Sequence, residues 1–132
     1  MKGNKDVAKG WIIKAESDIE NMMTVMKNGV ALDTVCFHSQ QGAEKYLKAF
    51  LTFNDVIPPK THDIEELLDL CSKIDTRFVN LIEETVFLTD YAVESRYDLE
   101  FWPKREDVEN AFDATNKIKQ LVLSLLPEEM QP

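Results

Sequence analysis

Apolar residues recur three and four positions apart along nearly the whole chain, and nowhere do they alternate for long enough to make a strand. Trp11, Ile12, Ala15, Ile19, Met22, Met23 and Met26 form the first such stripe, with Glu16, Asp18 and Glu20 mostly on the other side. Asn28-Gly29 stops it, because glycine takes the left-handed conformation without a Cβ clash. The methionines suit core packing better than a promiscuous binding face. A second helix is expected from about Asp33, a good N-cap type, to about Asn54, with Phe37, Ala43, Leu47, Phe50 and Leu51 as its apolar side. Pro58-Pro59 cannot continue it. Asp63 with Glu66 three residues on predicts a capping-box start for a short helix carrying Ile64, Leu67, Leu68 and Cys71.

A fourth helix is expected from about Asp75, carrying Phe78, Leu81, Ile82, Leu88 and Ala92 and closed by Arg96 and Tyr97. Glu94 to Lys104 reads as a loop, since Pro103 disfavours helix at Trp102. The last helix puts Val108, Ala111, Phe112, Thr115, Ile118, Val122, Leu125 and Leu126 on one stripe and ends at Pro127. The expected fold is therefore all-α: an up-and-down four-helix bundle with an additional short helix, about five helices in all. It forms one domain of 132 residues with its core roughly between residues 7 and 126.

Charge and composition narrow the functional classes. A formal net charge of −9 excludes nonspecific duplex DNA binding, which needs an excess of Lys and Arg to displace counterions. Four glycines and five prolines are too few for a turn-rich β-barrel or sandwich. Cys36 and Cys71 have neither metal-type spacing nor the numbers of a disulfide scaffold, and read as reduced, half-buried thiols. No apolar run approaches the roughly 18 residues of a membrane span, and Met1 to Lys14 does not read as a signal peptide. A soluble, cytoplasmic protein without a membrane association is expected.

The second helix is unusual in its polarity. At about 100° per residue, His38, Gln41, Lys45 and Lys48 share a stripe, with Glu44 beside it. A plain solvated face does well with Glu and Lys alone and has no need of His and Gln at the core edge. His62 stands at the entry of the short helix, where capping is the ordinary role, next to Asp63. Arg96, followed by Tyr97, lies among many carboxylates that would pair with it. Neither histidine lies three residues after a glutamate, so a bundle-type metal site is not expected, and no cofactor is implied.

Cys36-Phe37-His38-Ser39-Gln40-Gln41-Gly42-Ala43-Glu44-Lys45, then Thr61-His62-Asp63 with Leu67-Leu68, then Ser95-Arg96-Tyr97 occur in an order and spacing that resembles the HEPN family. The resemblance runs from about Val7 to Leu126. It implies a helical bundle that dimerises, a link to nucleotide binding, and a small nucleotidyltransferase as partner, often in a toxin–antitoxin-type pair. One branch of that family consists of metal-independent ribonucleases, whose motif is an Arg, then four to six residues with a polar residue usually first, then a His. Here Arg96 is followed by Tyr97-Asp98-Leu99-Glu100-Phe101-Trp102-Pro103, with no histidine after His62. The missing proton carrier counts against nuclease chemistry.

Three readings follow. In the first, a binding module, His38, Gln41, Glu44, Lys45, Lys48, His62, Asp63, Arg96 and Tyr97 line a pocket or partner surface, with Lys45, Lys48 and Arg96 gathered to receive a phosphate. In the second, a ribonuclease, Arg96, His38 and His62 are the catalytic candidates. In the third, an obligate homodimer, the polar residues are buried and paired to fix register. Binding without catalysis is the preferred expectation. Tyr97, Phe101 and Trp102 near Arg96 are either a binding hot spot or a hydrophobic anchor for the loop.

Overall fold

The structure, a computed structural model, describes residues 3–132. Met1 and Lys2, the first residues of the segment read above for a signal peptide, lie outside them. Six α-helices are present among the described residues and no strand. They are α1 (Asn4–Asn28), α2 (Leu32–Phe53), α3 (Ile64–Ser72), α4 (Val79–Thr85), α5 (Glu94–Tyr97) and α6 (Arg105–Ser124). Short 3-10 segments cover Thr76–Phe78, Val86–Ala92 and Glu128–Met130.

The bundle is organised around α2, which packs against α1, α6, α3, α5 and the Val86–Ala92 segment. Tyr46, Leu47 and Leu51 of α2 are fully buried against Ile12 and Met22 of α1, Leu67 and Leu68 of α3, Phe78, Leu88 and Ile118 of α6. Each such side chain contributes roughly 1.5–3 kcal/mol when removed from water. The helices approach closely where α2 is narrow. A Cβ on Gly42 would sit 3.5 Å from Asp18 Cβ and 3.5 Å from Thr115 Cγ2, and Thr115 Oγ1 donates to the Ser39 carbonyl at 2.7 Å.

Several local expectations are corrected. Gly29 ends α1, but with φ −104° and ψ 171°, an extended conformation. The reason for glycine is space: a Cβ there would lie 2.9 Å from both Val25 Cγ1 and the Val25 carbonyl oxygen. The helix α2 starts at Leu32 after Ala31, with Asp33 inside its first turn instead of capping it. Asp63 does cap α3, accepting from Glu65 N at 3.0 Å and Glu66 N at 3.4 Å, but its own N–H donates to Thr61 Oγ1, which displaces the reciprocal Glu66 bond. Met23 is exposed, whereas Met22 is buried and Met26 packs on the core edge.

The expected fourth helix is broken into a 3-10 turn, α4, the Val86–Ala92 3-10 segment and α5. Thr85, Val86, Phe87, Thr89 and Tyr91 are β-branched or aromatic and lose rotamer freedom in a helix. Thr85 Oγ1 donates back to the Leu81 carbonyl at 2.7 Å, a bond that weakens the helical ladder. Glu94–Tyr97, within the segment read as a loop, is one helical turn, and the loop proper begins at Asp98.

Helix α2 ends at Phe53 with Asn54 as its cap, where the sequence places its end, but the turn that follows carries no sequence mark. Asp55 takes the left-handed conformation with φ 64°. Val56 N donates to the Leu51 carbonyl at 2.9 Å and Asp55 N to the Thr52 carbonyl at 3.1 Å, the two bonds of a Schellman turn. Asn4 Nδ2 donates to Asp55 Oδ1 and ties this turn to the start of α1. Asp55→Val is expected to cost about 1–2 kcal/mol, since a β-branched residue is strained there, while Asp55→Gly stays near neutral. Urea denaturation of both variants checks this; equal losses would show that the left-handed turn is not the reason.

Candidate functional site

The polar stripe of α2 is divided between two buried carboxylates. Asp18 on α1 accepts from His38 Nδ1 at 2.7 Å on one oxygen and from Lys45 Nζ at 2.7 Å on the other. Glu44 accepts from His62 Nδ1 at 2.7 Å and Gln40 Nε2 at 3.1 Å on Oε1, and from Lys48 Nζ at 2.9 Å on Oε2. Each carboxylate thus holds one histidine and one lysine. Gln41 Nε2 donates to Gln40 Oε1 at 2.7 Å, and Gln40 also donates to the His62 carbonyl at 3.0 Å. A carboxylate accepts only, so both rings carry their proton on Nδ1. Nε2 of each ring has no protein partner among the described residues.

Asp18 was expected on the outer side of the first helix and is buried instead. A signal was present: it follows Ala15 by three residues and precedes Met22 by four, which puts it on the apolar stripe. Glu16, also expected outside, accepts from the buried Tyr46 hydroxyl and from Lys119 Nζ at 3.0 Å.

The lysines and Arg96 do not gather as one cationic cluster. Lys45 and Lys48 are neutralised by different carboxylates, and Lys48 is only 7% exposed. Arg96 has no ion pair among the described residues. Its guanidinium lies 5.4 Å from the centre of the Phe37 ring and 5.1 Å from that of Tyr97. Phe37 in turn meets the His38 ring edge-on, with centroids 5.5 Å apart. His38, Phe37, Arg96 and Tyr97 therefore make one continuous face where α5 crosses α2. Glu44 and Asp63 serve the framework, the first as a buried acceptor and the second as the cap of α3. Sequence reasoning missed Phe37 in this role, since an aromatic on an apolar stripe carries no mark of a neighbouring guanidinium.

The loop aromatics divide. Phe101 packs on Tyr91 at 5.7 Å and anchors the loop, while Tyr97 and Trp102 are exposed, Trp102 by 71%. The thiols are free and fully buried, not half-buried. Burial pushes Cys36 up to about 12, partly offset by its bond with Tyr91, and pushes Cys71 up as well, so both are inert as nucleophiles. No group of three or more His, Cys, Asp or Glu gathers as metal ligands do among the described residues, and no helix there is long and apolar enough to cross a membrane.

A helical bundle whose central helix holds its histidine and lysines on two buried carboxylates, Asp18 from α1 and Glu44 of α2 itself, defines a class of small helical modules with an α2-centred polar site. The family model of the HEPN domain matches residues 8–125, and the chain belongs to that family. The crystal structure of ST0689, an archaeal HEPN homologue, is similar to it at 25% sequence identity and a TM-score of 0.69, over 99% of this chain and 100% of that one. No curated protein matches the chain.

Proposed function

We propose that this HEPN domain is a nucleotide-binding module whose ligand occupies the face of His38, Phe37, Arg96 and Tyr97. The observation that carries the reading is the Arg96 guanidinium, stacked on two rings and free of any carboxylate among the described residues. A guanidinium held beside two rings and paired with no carboxylate keeps its N–H donors for a phosphate, which a guanidinium binds in bidentate fashion. The exposed Tyr97 ring offers a base a stacking surface. His38 adds Nε2, with its ring orientation set by Asp18. Lys45 and Lys48 contribute little charge to the ligand, being paired already.

Thermal shift with ATP, AMP and guanine nucleotides tests this, because a ligand that binds only the folded chain stabilises it by about 2.7 kcal/mol at a hundredfold excess over Kd. Arg96→Ala is expected to weaken binding about 10- to 100-fold, the worth of a charged hydrogen-bond pair. The far-UV spectrum stays unchanged, since Arg96 is exposed. No stabilisation by any nucleotide at millimolar concentration would end the proposal.

A second reading rests on the His38–Asp18 pair. A histidine oriented by a buried carboxylate and close to an arginine supports metal-independent RNA cleavage, with His38 as proton carrier in place of the histidine missing after Arg96. It requires that expression arrest growth and that Arg96→Ala relieve the arrest; unaffected growth excludes it.

Exposed Val93, Tyr97, Leu99 and Trp102 flank Arg96 in the chain and support docking of a protein, as a homodimer or with a small nucleotidyltransferase in a toxin–antitoxin-type pair. Light scattering of the purified chain reads the first, and co-purification with a nucleotidyltransferase encoded beside it reads the second.

A further inference from the structure

At the opposite end of α2 from His38, the N-terminal part of α1 and the Asp55–Lys60 loop enclose a second cavity of about 420 Å³. That is within the usual range of small-molecule pockets. Its walls are apolar: Val7 and Trp11 from α1, and Val56, Ile57, Pro58 and Pro59 from the loop. The proline pair is conformationally stiff and offers no N–H, so recognition along that wall is by shape and apolar contact. The Schellman turn at Asp55, tied to Asn4, holds the loop in place.

Five polar residues break the apolar lining: Asn4 and Asp55, bonded to each other, and Lys60, Lys48 and Thr52. Lys60 makes no ion pair among the described residues and lines the mouth. Lys48 is committed to Glu44 and lies 5.6 Å from the centre of the Trp11 ring. Thr52 lines the cavity, is 7% exposed, and its buried hydroxyl has no hydrogen-bond partner. An orphaned buried hydroxyl is a cost to the fold, and a ligand oxygen would supply the partner it lacks.

We infer that this cleft binds a small aromatic monocarboxylate, with its ring against Trp11 and the proline wall and its carboxylate between Lys60 and the Thr52 hydroxyl. One uncommitted lysine matches one negative charge. Asp55, also in the lining, opposes the two to four charges of a nucleotide. The site thus differs in ligand class from the Arg96 face and does not rest on it.

The test uses the full chain with Trp102→Phe, which leaves Trp11 as its one tryptophan. Biphenylacetate is the probe, compared with the corresponding uncharged alcohol and with AMP. The acid is expected to change Trp11 emission with a Kd at or below about 1 mM. Lys60→Ala, an exposed loop change, should weaken it about tenfold. Thr52→Val should raise the melting temperature of the unliganded chain by roughly 2–6 °C while weakening the probe about fivefold. Opposite signs on stability and binding are what a purely structural threonine would not produce. No change in Trp11 emission at roughly 5 mM probe overturns the site. Equal binding of the alcohol, or no effect of Lys60→Ala, overturns the carboxylate assignment. Displacement of the probe by AMP overturns the ligand class. If Thr52→Val fails to fold, the Lys60→Ala comparison decides alone.

Discussion

Replacing Glu44 with alanine is expected to cost the fold about 3–5 kcal/mol, the usual consequence of removing one partner from a buried ion pair. Lys48 is 7% exposed and donates to Glu44 Oε2 at 2.9 Å. Without that acceptor, its charge remains where water barely reaches. Gln40 Nε2 loses one of its two acceptors, and His62 loses the anchor of its Nδ1. His62, whose side chain is 69% exposed, turns to solvent at small cost, so most of the loss belongs to Lys48. Against the 5–15 kcal/mol that typical domains have, this brings the chain close to unfolding. Glu44→Met combined with Lys48→Met removes both charges and keeps the volume, and is expected to lie within about 1–2 kcal/mol of the parent. Urea midpoints at constant m-value measure all three chains. A Glu44→Ala loss under about 1 kcal/mol would show that Lys48 reaches water after all. A double variant as weak as the single would show that the loss comes from the Glu44 bonds to His62 and Gln40, which tie α2 to the segment before α3, and not from an unpaired Lys48.

Raising the pH above 9 is expected to unfold the protein over a window set by buried acids. Cys36 is pushed up to about 12 by burial, from an ordinary value of 9.0. Cys71, Tyr46 and Tyr91 are also raised by burial, Tyr46 further by its bond to Glu16 and the charge there. In each case the native state keeps a proton that the unfolded chain releases. The stability these groups confer is complete below the unfolded value and is lost as pH rises through it toward the folded one. For the thiols the loss begins near pH 9, at about 1.4 kcal/mol per pH unit each. Two thiols therefore remove on the order of 5 kcal/mol between pH 9 and 11, and Tyr46 steepens the fall above its unfolded value of 10.0. Urea midpoints from pH 8 to 11 check this. Cys36→Ala with Cys71→Ala lowers the plateau, because it opens cavities, but should flatten the slope between pH 9 and 10. A parent chain with no slope in that interval would contradict neutral buried thiols.

The two expectations draw on different levels of legibility. Helices α1, α2, α3 and α6 were readable because a 3.6-residue period and the chain breakers that bound it are local properties. Pro58-Pro59 and Asp63 mark their boundaries directly. The fourth segment was misread because its stripe, Phe78 through Ala92, has helical spacing while its residues tolerate a 3-10 path equally well. What decided between them is that Phe78 and Leu88 both reach the core of a bundle already closed by α2 and α6. Gly29 shows the same limit from the other side: the stop was readable, but the reason lies in the 2.9 Å that a Cβ would have to Val25.

At the site, the sequence by itself determined the ingredients. It placed His38, Gln41, Lys45 and Lys48 along one helix with Glu44 beside them, put His62 at a helix entry, and carried enough of the HEPN pattern for the family to be named. It could not distribute the charges. Asp18 lies 27 residues from Lys45 and 20 from His38, and His62 lies 18 from Glu44, so whether Lys45 faces a phosphate or a carboxylate depends on how α1 packs against α2, whereas the partner of Lys48, Glu44, stands four residues back on the same helix. Only the tertiary structure decided that Lys45 is neutralised by Asp18 and that Arg96, beside the Phe37 and Tyr97 rings, remains uncommitted. The physical reason is that helical period is written in neighbouring residues, whereas the energy of a charge depends on what stands within about 4 Å of it across the fold.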